Sequence, residues 1–355
     1  MSLIERRRGR TLLDDRRVQA AGALLVAALA TVPFVMNFYV TELLFTGLVF
    51  VILGVSWNLL AGYAGQISLG HAAFFGMGAF VSAWLTTPTG ADLPESIQLP
   101  VLLAVLVGGL VAALISLVVG PIMFRLRGHY FAIGTLALAA IIQLVMQDQR
   151  EYTGGATGYF VDSDPVEELV PPLTAEATVY LVTLAVAVLT VLVTYRIVES
   201  PTGLGMKAIH DDEDAASGLG VDPLKYKMYA FVVSSFFAGI AGALYAQYTL
   251  YINPGSTLDI VWTIDTLVIV ILGGMGTVAG PLLGAGLFLG LDNLLSSVVG
   301  ELSTAVEGAL IVLFIVFLPS GVYGLIDDYL VSDAEPRSDD ERATAKRSSD
   351  ATDDG

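Results

Sequence analysis

The residues of this chain that could do chemistry are few, and most of them gather in one place. There is no cysteine, so disulfides, thiolate metal sites and cysteine nucleophiles are excluded. The three histidines, His71, His129 and His210, form no H-E-x-x-H or similar cluster, which argues against a zinc site. No lysine follows a glycine, so a Walker-type phosphate cradle is missing. G-x-S-x-G, the commonest hydrolase signature, is absent too. Together these gaps favour a protein that is not an enzyme. The dense polar stretch is Gly203 to Gly220, GLGMKAIHDDEDAASGLG. Asp211, Asp212, Glu213 and Asp214 give it a charged surface, and Met206, Ile209, Ala215, Ala216 and Leu219 supply apolar groups among them. Gly203 and Gly205 are expected to loosen the chain after Pro201, and Gly218 and Gly220 to end a helix. Charge runs are usually solvated faces, so one reading is a helix packed on the rest of the molecule. The other is a handle for a soluble partner.

A second set of polar groups lies inside apolar surroundings. Gln66, Ser68 and His71 fall within GYAGQISLGHAAFFGMGAF, residues 62–80, among five glycines at 62, 65, 70, 76 and 78. Small-residue ridges of this kind let helices approach closely. Glycine-broken helix ends can also expose backbone groups to a translocation path, which would let Gln66, Ser68 and His71 meet a zwitterionic substrate. Asn58 and Gln143 stand out on apolar faces, as interhelical bonds or as path residues. Asp265 and Asp292 are ionisable groups near spans, and such groups are functional candidates by default.

These residues are set into a chain of membrane character. Hydrophobic residues make up 55% and charged residues 14%, well below the roughly 25% charged of a soluble domain. The apolar runs are continuous rather than alternating, which favours helices over a barrel. The expected fold is an all-α polytopic membrane protein of about ten transmembrane helices. The expected spans are 20–38, 42–61, a third ending near 87, 99–124, 130–147, 179–197, 228–251, two hinged at GGMGTVAGP within 257–300, and 303–323. Left unsplit, 257–300 would be one span. The domain reading is a basic N-terminal segment, 1–19, a membrane unit, 20–325, holding a polar loop at 198–225, and an acidic disordered tail, 326–355. The N-terminal arginines place that end in the cytoplasm. Ten spans then put RLRGH (125–129), the polar loop and the C-terminus on the same side, and the loops 87–98 and 148–178 outside. The formal net charge of −17 rules against a nucleic-acid face. Acids crowded into loops and tail resemble the surfaces of proteins from high-salt organisms.

Four stretches carry a resemblance: GYAGQISLGHAAFFGMGA, LRGHYFAIGTLALA, GLGMKAIHDDEDAASGLGVDPLKYKMYAFVVSSFFAGIAGALYA and LVIVILGGMGTVAGPLLGA. In order over residues 40–325 they resemble the LivM-type permease of branched-chain amino-acid ABC importers. The resemblance implies an ABC importer permease fold and a LivH-like second permease. It implies two ABC ATPase subunits that carry ATP and Mg, a substrate-binding protein outside the membrane, and no cofactor on this chain. It also implies an ATPase-coupling loop in which Gly203, Ala208, Ile209, Asp211, Asp212, Glu213, Ala215, Ala216, Gly218 and Gly220 match the family pattern. His210 departs from it, standing where the family often has a basic residue such as arginine. Asn58, Gln66, Ser68, His71 and Asp265 are the candidates for the translocation path. Related permeases serve urea and short-chain amides, so these remain alternative substrates. A stand-alone ion-coupled transporter, with Asp265 or Asp292 as its ion site, is the competing class.

Overall fold

The computed structural model describes residues 16–167, 169, 173–299, 308–309 and 321–325. The long helices are α1 (Arg16–Val35), α2 (Phe38–Asn58), α3 (His71–Thr86), α4 (Val101–Met123), α5 (His129–Asp148) and α6 (Ala175–Val198). Two shorter polar helices follow, α7 (Pro201–Asp211) and α8 (Glu213–Gly218). Then come α9 (Pro223–Thr249), α10 (Val261–Gly273) and α11 (Gly280–Val299). Among the described residues, helices therefore occupy nine of the ten expected apolar segments. The last expected span, 303–323, lies almost wholly outside the described residues, as do most of the basic N-terminal segment and the acidic tail.

Among the described residues, six helical segments are long and apolar enough to cross a membrane: Phe38–Tyr63, Val101–Met123, His129–Asp148, Ala175–Val198, Pro223–Thr249 and Pro254–Gly273. Gln19–Val35 and Gly280–Leu295 are shorter apolar helices. The expected split of 257–300 appears as α10 and α11, with a turn at 274–279. Gly273 backs onto the Gly280 carbonyl and Gly284 onto that of Ile269, so the pair runs antiparallel as a tight hairpin.

The third span differs from the sequence expectation. Its helix starts at His71, and α2 instead runs on through a π-helical turn, Leu59–Tyr63. Residues 64–70 are non-helical. Within apolar surroundings the freed backbone groups must find partners. The Gln66 amide donates to the Leu60 carbonyl at 3.0 Å. The Leu69 amide donates to Thr135 Oγ1 at 2.9 Å, and Trp57 Nε1 donates to the Ser68 carbonyl at 2.8 Å.

The centre of the bundle is α9, packed between α3 and α4. A Cβ on Gly78 would strike the Gly239 carbonyl, and one on Gly242 the Phe75 carbonyl. These helices meet backbone to backbone, as the small-residue ridges lead one to expect. Leu102, Leu106, Leu110, Leu114 and Leu117 of α4 face outward, as do Ile133, Ile141 and Leu144 of α5.

The connections gather at two ends. At one, Tyr159–Phe160 (β1) pairs antiparallel with Tyr251–Ile252 (β2). The Tyr159 hydroxyl there donates to the Thr87 carbonyl, and Trp84 Nε1 to the Tyr152 carbonyl at 2.7 Å. At the other end lie α7, α8, the 64–70 segment and the 274–279 turn.

A candidate coupling site at one end of the bundle

The polar stretch is punctuated by caps that its sequence encodes. Ser200 accepts from the amides of Thr202 and Gly203 and starts α7, with Pro201 in the first helical position. Asp212 accepts from the Ala215 amide at 2.9 Å and starts α8. Asp222 accepts from the Lys225 amide, with Pro223 following, and starts α9. The single helix expected here is thus two, because Asp212 takes an extended backbone (φ −157°, ψ 108°) and caps rather than continues.

The two expected glycine roles also change. Gly203 and Gly205 lie inside α7 and do not loosen it. A Cβ on Gly205 would lie 2.6 Å from the Tyr226 ring, and Gly203 presses on the Val198 carbonyl, so both seat α7 against the ends of α6 and α9. Gly218 closes α8, and Gly220 takes φ +90° just beyond it.

The two helices have distinct faces. Ile209 (3% exposed) and Ala216 (4%) are buried with Met206 against the bundle, and Ala208 is half-buried. His210, Asp211, Asp212, Asp214 and Ala215 are exposed, with Leu219 standing 88% exposed beside them. Glu213 points the other way: Lys227 Nζ, on a side chain 5% exposed, donates to Glu213 Oε2 at 2.6 Å. This pair fastens α8 to the first turns of α9. Arg127 reaches Asp214 at 3.9 Å, but both side chains are exposed and such pairs contribute little.

The underside of α7 rests on the π-helical turn. Lys207 Nζ lies 5.7 Å from the centre of the Tyr63 ring. The His210 ring covers Gly65, whose φ is +69°; a Cβ there would lie 2.6 Å from His210 Cδ2. The residues proposed for a path lie close by but mostly in packed positions. Asn58 is 1% exposed; its Nδ2 donates to the Thr277 carbonyl at 2.8 Å and its Oδ1 accepts from the Gly276 amide at 2.8 Å. His71 Nε2 and Ser234 Oγ are 2.7 Å apart. Ser234 gives its hydroxyl proton to the Ser56 carbonyl at 2.6 Å, so its oxygen accepts from His71, which fixes the Nε2–H tautomer. Ser68 is buried and accepts from the Gly70 amide at 3.2 Å. Gln66 is half-buried beside the exposed Ile67, its Nε2 donating to the Ala64 carbonyl at 3.3 Å. Gln143 Nε2 donates between helices to the Gly255 carbonyl at 3.2 Å. Asp265 lies half-buried in the second turn of α10 with a polar interaction of its own, and Asp292 is half-buried in α11.

Lys227 and Tyr63 join this site without a role having been read for them in the sequence, and Gly65, one of the five glycines noted in 62–80, joins it beneath His210. Lys227 had a signal: with Lys225 it stands in the first turns of a helix that is apolar over most of its remaining length. Among the described residues, no three acidic or histidine side chains are arranged to hold a metal ion.

Residues 39–318 match the family described as "Branched-chain amino acid transport system / permease component". The chain is 29% identical over 329 residues to the high-affinity branched-chain amino acid transport system permease protein LivM of Salmonella typhimurium. That match covers 84% of this chain and 73% of LivM. It is 25% identical over 270 residues to a probable LivM of Methanocaldococcus jannaschii, 68% of this chain and 76% of that one. It is also 23% identical over 290 residues to the permease protein LivH of Salmonella typhimurium, 78% of this chain and 92% of LivH. No solved structure matches the chain.

Proposed function

Since the chain belongs to the family of branched-chain amino acid transport permease components, we propose that it is the LivM-like permease subunit of an ABC importer for branched-chain amino acids. It works beside a LivH-like second permease. Two ATPase subunits bind ATP and Mg, and a substrate-binding protein delivers the amino acid from outside. The observation that carries this reading is the build of α7 and α8. They are polar, capped at each start, rooted in α6 and α9, and present an acidic face with Leu219 at its edge. Two rigid roots let a push on that face move both spans.

In this reading the N- and C-termini, α7 and α8 are cytoplasmic, and the β1–β2 end faces outward. Of the path candidates, the half-buried Gln66 beside the exposed Ile67 meets the substrate in this reading, and the buried Asn58, Ser68 and His71 shape the wall behind it. The acidic face calls for a basic groove on the ATPase.

Affinity purification from native membranes in mild detergent, followed by mass spectrometry, tests the assembly. Two ATPases and a second permease are expected to co-elute. A chain that elutes alone after crosslinking would overturn the reading.

A further inference from the structure

One side chain ties the end of α2 to the α10–α11 hairpin. Asn58 uses both ends of its amide on the 274–279 turn, more than 200 residues away in the chain. Directly after it, α2 widens into the π-helical turn, a looser hydrogen-bond ladder often found where a helix must adjust. That turn and the residue two positions beyond it carry α7, through Lys207 on Tyr63 and His210 on Gly65. The turn also carries the hairpin: a Cβ on Gly62 would strike Asn58 Oδ1 and lie 2.6 Å from the Gly276 amide nitrogen. Gly276 holds φ +79°, so the turn presents its amide in a conformation few other residues adopt.

We propose that Asn58 is a positioning residue that ties the hairpin turn at Gly276–Thr277 to α7. The connection runs from His210 through Gly65 and the π-helical turn. It rests on the coupling role assigned to α7 and α8 above and goes beyond it. A displacement of α7 then reaches α10 and α11 directly, without passing along α6 or α9. The sequence had offered Asn58 as a path residue; its buried amide, spent on two backbone groups, makes it a fastening.

The test has two parts, on the chain purified with its native partner subunits. The first is hydrogen–deuterium exchange over residues 273–280, which needs no transport. Asn58→Leu removes the acceptor of the Gly276 amide, and exchange there is expected to rise at least tenfold. His210→Ala touches none of these residues, yet is expected to raise the same exchange about threefold. Unchanged exchange in His210→Ala overturns the connection and leaves Asn58 as a local packing group. His210 is exposed, so that variant carries this part alone if Asn58→Leu does not insert stably. The second part is uptake per ATP hydrolysed in proteoliposomes. Each variant is expected to lose at least fivefold, and the double variant no more than the worse single one, as expected for two groups acting through one connection. Losses that multiply overturn the proposal. Uptake by the wild-type complex that does not depend on ATP would overturn the importer reading instead, with the exchange result still deciding the connection.

Discussion

Lys227 shows how one buried charge can define an element's place. Its ammonium group is held by Glu213, whose side chain is 32% exposed, so the two partners do not lose equally if parted. Glu213→Ala leaves a buried cation with no counter-charge. Lys227→Met leaves a carboxylate that water can reach, and a methionine that fits the apolar site. Breaking fully buried pairs costs roughly 3–5 kcal/mol, so about 2 kcal/mol is expected for Glu213→Ala here and markedly less for Lys227→Met. Thermal unfolding of the two variants in detergent checks the order. At the opposite end, burial pushes the Tyr159 hydroxyl up to about 12 from its usual 10. The folded state favours the neutral form that donates to Thr87. Its contribution is complete below pH 10 and is lost as pH rises from 10 to 12. Thermal midpoints measured from pH 8 to 11.5 should fall more steeply in the native protein than in Tyr159→Phe above pH 10. Gly78 is a third test. A valine there would drive into the Gly239 carbonyl, and the resulting overpacking is expected to cost at least 1–3 kcal/mol by the same unfolding assay.

At the scale of elements, the capped pair α7–α8 makes its own prediction. Ala215→Pro removes the amide that Asp212 holds, and with it the start of α8. Uptake per ATP is expected to fall about tenfold while the protein stays inserted; normal uptake by a stably inserted variant would sink the role assigned to this segment. Much of the fold was legible beforehand. The apolar runs gave the long helices to within a few residues, whereas the helix starts encoded by Ser200-Pro201 and Asp222-Pro223 went unread. Asp212 was read as surface charge, because a capping aspartate and a solvated one look alike in a run of four acids. The 64–70 break was folded into the third span, since its glycines read equally as helix packing. What could not be read was pairing at distance. Nothing local to Asn58 names Gly276, and nothing local to Gly65 says that His210 will cover it. Those contacts exist only once α2, α7 and the hairpin are packed together.

For the molecule as a whole, the net charge of −17 sits largely outside the helices that pack the core. Acid-rich surfaces repel at low ionic strength. The thermal midpoint is therefore expected to rise by several degrees between 0.05 M and 2 M KCl; a flat response would remove the high-salt character inferred from composition. The backbone-tight packing of α3, α4 and α9 also bears on how the chain is made. The helix that completes this packing is synthesised about 160 residues after α3. At roughly 5–20 residues per second, α3 waits on the order of 10–30 s in the bilayer for its main neighbour. It is only 16 residues long and begins at a broken segment, so it is poorly suited to stand alone in lipid. Its interim support is α4, made immediately afterwards, where Gly108 already lies against the Gly78 carbonyl. A bulky residue at Gly108 would thus act during biosynthesis, leaving a half-made chain exposed to membrane quality control before α9 has left the ribosome.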